Sequence, residues 1–197
     1  MGLAQTKTLY TPEEYLAMER SGEMRHEFFQ GEIFAMAGGS RRHNGISANI
    51  IRLLGNQLLE RDCTVYGSDM RVRVPAAEKY TYPDIVAVCG EEVFEDENED
   101  TLLNPSLIIE VLSKSTEAYD RGTKFEYYQT IESFREYVLI AQEPFRVEQF
   151  VRKDINVWTY FEFRKPEDVV ELNSINCELS LRDIYHKIQQ KFPKEVI

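Results

Sequence analysis

The amino-acid sequence predicts an α/β protein of the mixed α+β kind, in which a mixed β-sheet carries α-helices on at least one face. Two runs, YPDIVAVCG and SLIIEVLS, are apolar on both faces over most of their length, as strands inside a sheet are. Two longer segments place apolar residues at helical spacing instead. The length of 197 residues suits one compact domain, so we expect a single domain over residues 1–197.

The first 62 residues predict a helix, a hairpin and a second helix. The segment TPEE at 11–14 is typical of a helix start, with a capping hydroxyl, an early proline and acids in the first turn. Ser21-Gly22 should end that helix. HEFFQGEIFAMAGG predicts two strands around Gln30-Gly31. HNGISANIIRLLGNQLLERD then predicts an amphipathic helix.

Strands dominate from residue 63 onwards. CTVYGSDMRVRVP predicts two short strands, and YPDIVAVCG and SLIIEVLS predict two interior ones. STEAYDRGTKFEYYQTIESF predicts a second long helix that includes Gly122. REYVLIA, RVEQFVR and VWTYFEFR predict three further strands, and LRDIYHKIQQKF predicts a closing helix.

Composition excludes some classes of protein. The net charge of −11 argues against a protein that coats nucleic acid through bulk attraction. The segment EEVFEDENED at 91–100 supplies seven of the acids, and we expect it to be a solvated loop. Basic residues elsewhere could still form a rim around a site. They are Arg41, Arg42, Arg71, Arg73, Lys114, Arg121 and Lys124.

Membranes and thiol chemistry are not indicated. No apolar run approaches the roughly 20 residues of a membrane span. The three cysteines, Cys63, Cys89 and Cys177, are far apart and form no CxxC pair. This pattern favours reduced thiols in a cytoplasmic protein over a disulfide framework or a zinc site.

Glu110 is an acid inside a predicted buried strand, where an ionised carboxylate needs a partner or a metal. Asp84 follows Pro83 at the start of another interior strand. If the two strands are neighbours, the carboxylates can meet at the edge of the sheet. Two hard oxygen donors at a polar notch suit Mg²⁺ or Mn²⁺. The alternative is that Glu110 simply faces solvent.

The motifs around this pair form a recognisable series. YPDIVAV is followed by IIEVLS, then by Asp120 and Lys124 on a helix, then by EYVLI, while RHEFFQGEIFAMAG, His43 and SDMRV precede it. This series resembles the Uma-type putative restriction endonuclease family, a branch of the PD-(D/E)XK nuclease superfamily. The resemblance implies a restriction-endonuclease-like fold, with a mixed central β-sheet flanked by α-helices and an N-terminal helix and hairpin.

The resemblance also implies roles for individual residues. Asp84 and Glu110 match the metal-binding acids, and Val111 would add a backbone carbonyl to the metal. Glu27 matches an early glutamate that supports a water on the metal. His43 and Asp120 would have supporting roles, His43 at the rim of the site and Asp120 orienting the catalytic lysine.

The catalytic lysine departs from the superfamily pattern. The simple spacing would place it at position 112, which is Leu112. In the resembling family the lysine stands on the following helix, where Lys124 matches it. Lys114 is the local rival, because it would share the face of residue 112 if the strand continued.

The expected function is therefore a Mg²⁺- or Mn²⁺-dependent endonuclease that hydrolyses DNA phosphodiester bonds, with no membrane association. The resemblance also implies a homodimer, since a duplex has two strands to cut. The alternative is a nuclease-like module that binds nucleic acid or protein without cutting. The acidic net charge and the missing lysine at position 112 favour that alternative. RNA or a nucleotide is a third possible substrate class.

Overall fold

The computed structural model describes residues 9 to 188 and has the expected mixed α+β architecture. Its α-helices are α1 (Pro12–Ser21), α2 (Arg41–Leu58), α3 (Glu117–Arg121), α4 (Thr123–Gln129) and α5 (Leu181–Ile184), and Pro75–Ala77 form a short 3₁₀-helix. Its strands are β1 (His26–Phe29), β2 (Glu32–Ala35), β3 (Cys63–Gly67), β4 (Arg71–Val74), β5 (Lys79–Thr81), β6 (Ile85–Cys89), β7 (Thr101–Leu102), β8 (Leu107–Leu112), β9 (Glu136–Ala141), β10 (Arg146–Asp154), β11 (Val157–Phe163), β12 (Val169–Leu172) and β13 (Cys177–Ser180). None of the helices between residues 9 and 188 is long and apolar enough to span a bilayer.

The strands form two mixed sheets and a hairpin. The larger sheet has six strands in the order β11-β10-β9-β8-β6-β3, and its β8–β9 pair is parallel. The other sheet has five strands in the order β2-β1-β5-β4-β7, with a parallel β4–β7 pair. Strands β12 and β13 pair only with each other among the described residues. A parallel pair needs a crossover connection, which α3 and α4 supply between β8 and β9.

Hydrophobic clusters lie on both faces of β8, whose six residues are all buried. Ile109 belongs to the cluster that includes Ile50 of α2. Ile108 belongs to the cluster that includes Phe125 of α4. Because side chains alternate along a strand, Glu110 shares the face of Ile108 and is directed towards α4.

The elements of the N-terminal region agree with their predictions. Thr11 caps α1 and forms a capping box with Glu14. The β1–β2 turn consists of Gln30 and Gly31, with φ of 48° and 86°. Such angles suit glycine, which has no Cβ to clash. Helix α2 buries the apolar stripe that its spacing predicted.

Two helix predictions need correction. The second long helix is divided into α3 and α4 at Gly122, whose φ of −108° and ψ of −103° leave the helical region. Glycine resists such a change least, and it contributes least to a helix interior. The closing helix, predicted over 181–192, is shorter. Helix α5 ends at Ile184, turns follow to residue 188, and the remainder lies outside the described residues.

The expectation of reduced thiols is wrong for two of the three cysteines. Cys63 and Cys89 face each other across the β3–β6 pair and form a disulfide, while Cys177 is free and buried. The two partners are 26 residues apart in the chain, so only the strand register brings them together. No spacing rule for cysteines could have indicated this bond.

The acidic segment is not simply a solvated loop. Asp96 and Asp100 both bind the guanidinium of Arg20 on α1, with nitrogen–oxygen distances of 2.8 Å. Asp100 also lies 2.7 Å from the buried guanidinium of Arg71. Acids that the composition assigned to solvent therefore attach this segment to α1 and β4.

Four short strands were not predicted, namely β5, β7, β12 and β13. Strands β5 and β7 have only three and two residues, too few for an alternating pattern to stand out. Strand β5 matters most, because it pairs with β1 and carries two side chains of the candidate site.

Candidate active site

Asp84 and Glu110 meet where β6 and β8 run side by side. These strands are antiparallel neighbours with Ile85 opposite Ile109, which brings Asp84 next to Glu110. The backbone N–H of Val111 donates to Oδ2 of Asp84 at 2.7 Å. The backbone N–H of Asp84 lies 3.4 Å from Oε2 of Glu110. Each carboxylate is thus held by the strand that carries the other.

Lys124 and Tyr128 of α4 hold the other oxygen of Glu110. The Nζ of Lys124 lies 2.7 Å from Oε1 of Glu110, and the hydroxyl of Tyr128 donates to the same atom at 3.2 Å. The two residues are four apart, so they share one face of the helix. Only 4% of Glu110 is exposed. In this structure an ammonium and a phenol therefore compensate the buried acid.

Glu27 of β1 approaches the same lysine from the second sheet. Its Oε1 lies 3.7 Å from Nζ of Lys124, and its Oε2 lies 2.8 Å from Nζ of Lys79. Thr81 of β5 donates its hydroxyl to Oε1. Burial opposes ionisation of Glu27, but the charges of Lys124 and Lys79 outweigh it and lower the pKa of the carboxyl to about 2. Glu27 is therefore ionised at neutral pH.

His43 reaches the site from the first turn of α2. Ser40 caps that helix by accepting a hydrogen bond from the N–H of His43 at 3.1 Å. The imidazole Nε2 lies 3.0 Å from Oδ2 of Asp84. This hydrogen bond raises the pKa of His43, with burial opposing it. The ring also packs on Gly39, where an added Cβ would lie 2.6 Å from Nδ1.

Asp120 lies at the edge of the same group. Its carboxylate is 3.7 Å from Nζ of Lys124, and its backbone carbonyl accepts the hydroxyl of Tyr137 at 3.0 Å. Burial raises the pKa of Asp120. Lys114, the alternative lysine, is exposed and makes no ion pair with any residue in the described part of the chain.

Burial and neighbouring charges have opposing effects on the pKa values of Lys124 and Glu110. Burial lowers the pKa of Lys124, but Glu110 and its other acidic neighbours raise it more, so the net shift is upward. Burial raises the pKa of Glu110, and the nearby negative charge of Asp84 adds to this, while Lys124 opposes both. Lys124 is therefore a protonated ammonium surrounded by carboxylates.

The donor set suits a hard divalent cation. Oδ2 of Asp84 is occupied by His43 and Val111, whereas Oδ1 accepts no hydrogen bond from the described residues. Within residues 9–188, no group of three or more His, Cys, Asp or Glu side chains could hold a metal ion. Mg²⁺ commonly binds proteins through one or two carboxylates and keeps several waters, so Asp84 and Glu110 are the residues that could hold it.

Sequence reasoning missed three residues of this group, Lys79, Thr81 and Tyr128. Tyr128 could have been found, because it lies one helical turn after Lys124. Thr81 and Lys79 lie just before the YPD motif, on a strand too short to be recognised. Their contacts with Glu27 span more than 50 residues of chain.

The predicted basic rim is largely wrong, because acids engage most of its members. Arg71 is buried against Asp100, and Arg73 pairs with Glu95. Arg121 bonds Glu148 at 2.7 Å, and Lys124 is buried in the site. Arg42 pairs with Glu143, which leaves Arg41 and Lys114 as the members without an ion pair to residues 9–188.

Comparison with known proteins identifies the family. The family model described as "Uma2: Putative restriction endonuclease" matches residues 12–183. The chain belongs to the Uma2 family. The match contains the residues of the candidate site, from Glu27 to Tyr128. The sequence-based assignment to this family is therefore confirmed.

Relatives of this Uma2 chain are found in a cyanobacterium. "Uncharacterized protein sll1609" of Synechocystis sp. (strain PCC 6803) is 38% identical over 173 residues, covering 88% of this chain and 97% of the relative. "Uncharacterized protein slr1290" of the same organism is 34% identical over 175 residues, covering 89% and 90%. The crystal structure of "a putative nuclease belonging to DUF820" from Anabaena variabilis superposes with a TM-score of 0.73 and 17% identity, covering 90% of this chain and 98% of that one. That likeness shows the restriction-endonuclease-like fold.

Proposed function

We propose that this Uma2 protein is a metal-dependent endonuclease that hydrolyses DNA phosphodiester bonds, formed as one nuclease-like domain over residues 1–197. The observation that carries the proposal is the meeting of Asp84 and Glu110 on adjacent strands, with Nζ of Lys124 2.7 Å from Glu110. Two carboxylates on adjoining interior strands can hold a divalent cation, and an ammonium beside them can stabilise developing negative charge, which suits phosphodiester hydrolysis. The family membership and the fold shared with the Anabaena variabilis protein support the same conclusion.

Asp84 and Glu110 would hold Mg²⁺ or Mn²⁺, with the backbone carbonyl of Val111 as a third donor. A bound divalent cation lowers the pKa of water and withdraws charge from phosphoryl oxygens. The protein's part is to fix its donors before substrate arrives. His43 does this for Asp84 by holding Oδ2, which leaves Oδ1 available.

Lys124 would serve the attacking water and the developing negative charge. Its ammonium stays protonated because carboxylates surround it, and a protonated lysine offers three rotatable donors. Glu27 is ionised and 3.7 Å away, so it can accept a hydrogen bond from a water beside the ammonium. Asp120, also 3.7 Å away, limits the directions in which Lys124 can move.

A plasmid-nicking assay with Mg²⁺ or Mn²⁺ tests this function. Purified wild-type protein should relax supercoiled DNA, and Lys124→Met should lower the rate at least about a hundredfold, the lower bound for a positioned proton-transfer or electrostatic group. Lys114→Met is the matched control, because it removes the rival lysine from an exposed position. It should cut like the wild type.

Metal binding provides a second readout that does not depend on turnover. Titration calorimetry should detect Mn²⁺ binding to the wild type and its loss in Asp84→Ala and Glu110→Ala. Full metal affinity in both variants would exclude the assigned ligands. Retention of DNA without cleavage by a metal-loaded protein would favour the non-cutting module instead. We also expect a homodimer, which light scattering on the purified chain would test.

A further inference from the structure

A groove at the start of α2 carries the side chains of Arg41 and Lys187, which pair with no acid among the described residues. The groove has a volume of about 280 Å³ and lies between the start of α2 and the turn that follows α5. Its lining includes Arg41, Arg42, His186 and Lys187, and among the described residues no acid lines it. We refer to it as the α2 groove. The chain has a net charge of −11, so a positively charged groove without acids differs from the rest of its surface and favours the binding of an anion.

The α2 groove is built by specific packing rather than by chance exposure. Asn49 donates from its side-chain amide to the carbonyls of Ile184 and His186, at 3.0 and 2.9 Å. These bonds fasten the turn after α5 onto α2. Gly45 allows the close approach, since an added Cβ there would lie 2.5 Å from Cδ1 of Ile188. The turn therefore holds Lys187 on the same side of α2 as Arg41.

The cations of the groove differ from several arginines elsewhere in the chain. Arg20, Arg71, Arg73 and Arg121 are all bonded to carboxylates. Arg41 and Lys187 make no ion pair with any residue between 9 and 188, and both are exposed. Within residues 9–188, Arg42 pairs only with Glu143, an acid whose side chain is 64% exposed. The groove thus keeps positive charge available at the surface.

The position of the two arginines also disfavours a purely structural role. They occupy the first turn of α2, which contains no acid. Cations at a helix N-terminus oppose the helix dipole by a few tenths of a kcal/mol to about 1 kcal/mol each. An anionic ligand reverses this effect, because it is attracted both by the arginines and by the helix end.

We propose that the α2 groove binds the phosphate backbone of duplex DNA and aligns it with the candidate active site. Arg42 of the groove directly precedes His43, whose ring lies 3.0 Å from Asp84, so the first turn of α2 carries side chains of both the groove and the candidate site. From residue 41 to residue 49 the helix rises about 12 Å, enough to follow about three phosphates of one strand. This inference rests on the proposed function and adds to it a substrate-positioning surface.

Fluorescence anisotropy with a labelled duplex of about 20 bp in EDTA tests the groove without cleavage. The double variant Arg41→Gln/Lys187→Gln should bind about tenfold more weakly at about 0.1 M salt, and its salt slope should fall by about two, one for each phosphate that the variant no longer neutralises. Arg41→Lys/Lys187→Arg retains both charges and should bind like the wild type. Lys153→Gln/Lys165→Gln removes two exposed charges elsewhere and should change neither quantity.

The outcomes separate this inference from the proposed function. Unchanged affinity and salt slope in Arg41→Gln/Lys187→Gln would overturn the groove, even if the wild type nicks plasmid with Mn²⁺. Loss of binding in that variant, together with a wild type that never nicks DNA, would support the groove and overturn the nuclease. If labelled polyglutamate binds as tightly as DNA and is lost in the same variant, the groove is a site for acidic protein and the DNA assignment fails.

Discussion

Replacing Lys124 by methionine tests whether the candidate site is held together by charge. The substitution keeps an unbranched side chain in a position that is 7% exposed, so packing changes little. It removes the ammonium that lies 2.7 Å from Glu110 and 3.7 Å from both Glu27 and Asp120. Glu27 keeps its contact with Lys79, whereas Glu110 keeps only neutral donors.

Removing one partner of a buried ion pair typically costs about 3–5 kcal/mol. Tyr128 still donates to Glu110, and Glu110 can take up a proton, so we expect a loss of about 3 kcal/mol at pH 8. Burial already raises the pKa of Glu110, and losing Lys124 raises it further. The folded state then binds that proton more tightly than the unfolded state, so stability falls as pH rises from the unfolded to the folded pKa. The defect should therefore shrink towards pH 5.

Urea unfolding, followed through the fluorescence of the single tryptophan, Trp158, measures this loss. Lys114→Met is the control and should stay within about 0.5 kcal/mol of the wild type, as exposed substitutions usually do. Glu110→Gln/Lys124→Met replaces both charges with neutral groups and should recover more than half of the loss, because the amide oxygen can still accept from Tyr128.

Two results would refute this reasoning. One is a Lys124→Met variant as stable as the control at pH 8, which would mean that Glu110 does not depend on the ammonium. The other is a double variant as unstable as Lys124→Met alone, which would place the loss in packing rather than in an uncompensated charge.

Three further expectations concern the cation, the disulfide and the acidic segment. Mn²⁺ at one hundred times its Kd should stabilise the protein by about 2.7 kcal/mol, and Lys124→Met should bind Mn²⁺ more tightly than the wild type. If Mn²⁺ changes the Tm of neither protein, the paired carboxylates do not bind a cation. Cys63→Ser/Cys89→Ser should lower the free energy of unfolding by about 3 kcal/mol, given a separation of 26 residues, whereas three reactive thiols in the denatured wild type would rule out the bond. Asp100→Asn should cost about 1–2 kcal/mol at pH 7, since hydrogen bonds from Arg20 lower the pKa of Asp100. That stability is present above the unfolded pKa of about 3.9 and is lost as the pH falls. If the urea midpoints of the wild type and the variant differ as much at pH 2 as at pH 7, this expectation is wrong.

Much of the fold was predictable because burial leaves a clear pattern in the sequence. Interior strands such as β6 and β8 need apolar residues on both faces, and α2 needs an apolar stripe at helical spacing. Strands β5 and β7 were missed because two or three residues cannot show a period. The second long helix was mispredicted because apolar spacing continues across Gly122 while the backbone does not.

The acids of the candidate site could be predicted from the sequence, whereas several of the side chains that bind them could not. Asp84 and Glu110 stood out because carboxylates at the ends of apolar strands need a reason to be there. Lys124 followed from the family pattern, and the structure places it against Glu110. Lys79 and Thr81 could not be predicted, because they join Glu27 only through the pairing of β1 with β5.

By itself, the sequence determined which segments are buried and which acids those segments carry, since hydrophobic periodicity is a local property of the chain. Only the tertiary structure decided which cations neutralise those acids, that Arg41 of the α2 groove forms no ion pair with residues 9–188, and which two cysteines are joined. Those outcomes depend on contacts between side chains up to about one hundred residues apart, and such contacts are set by sheet register and by the placement of helices rather than by any local pattern.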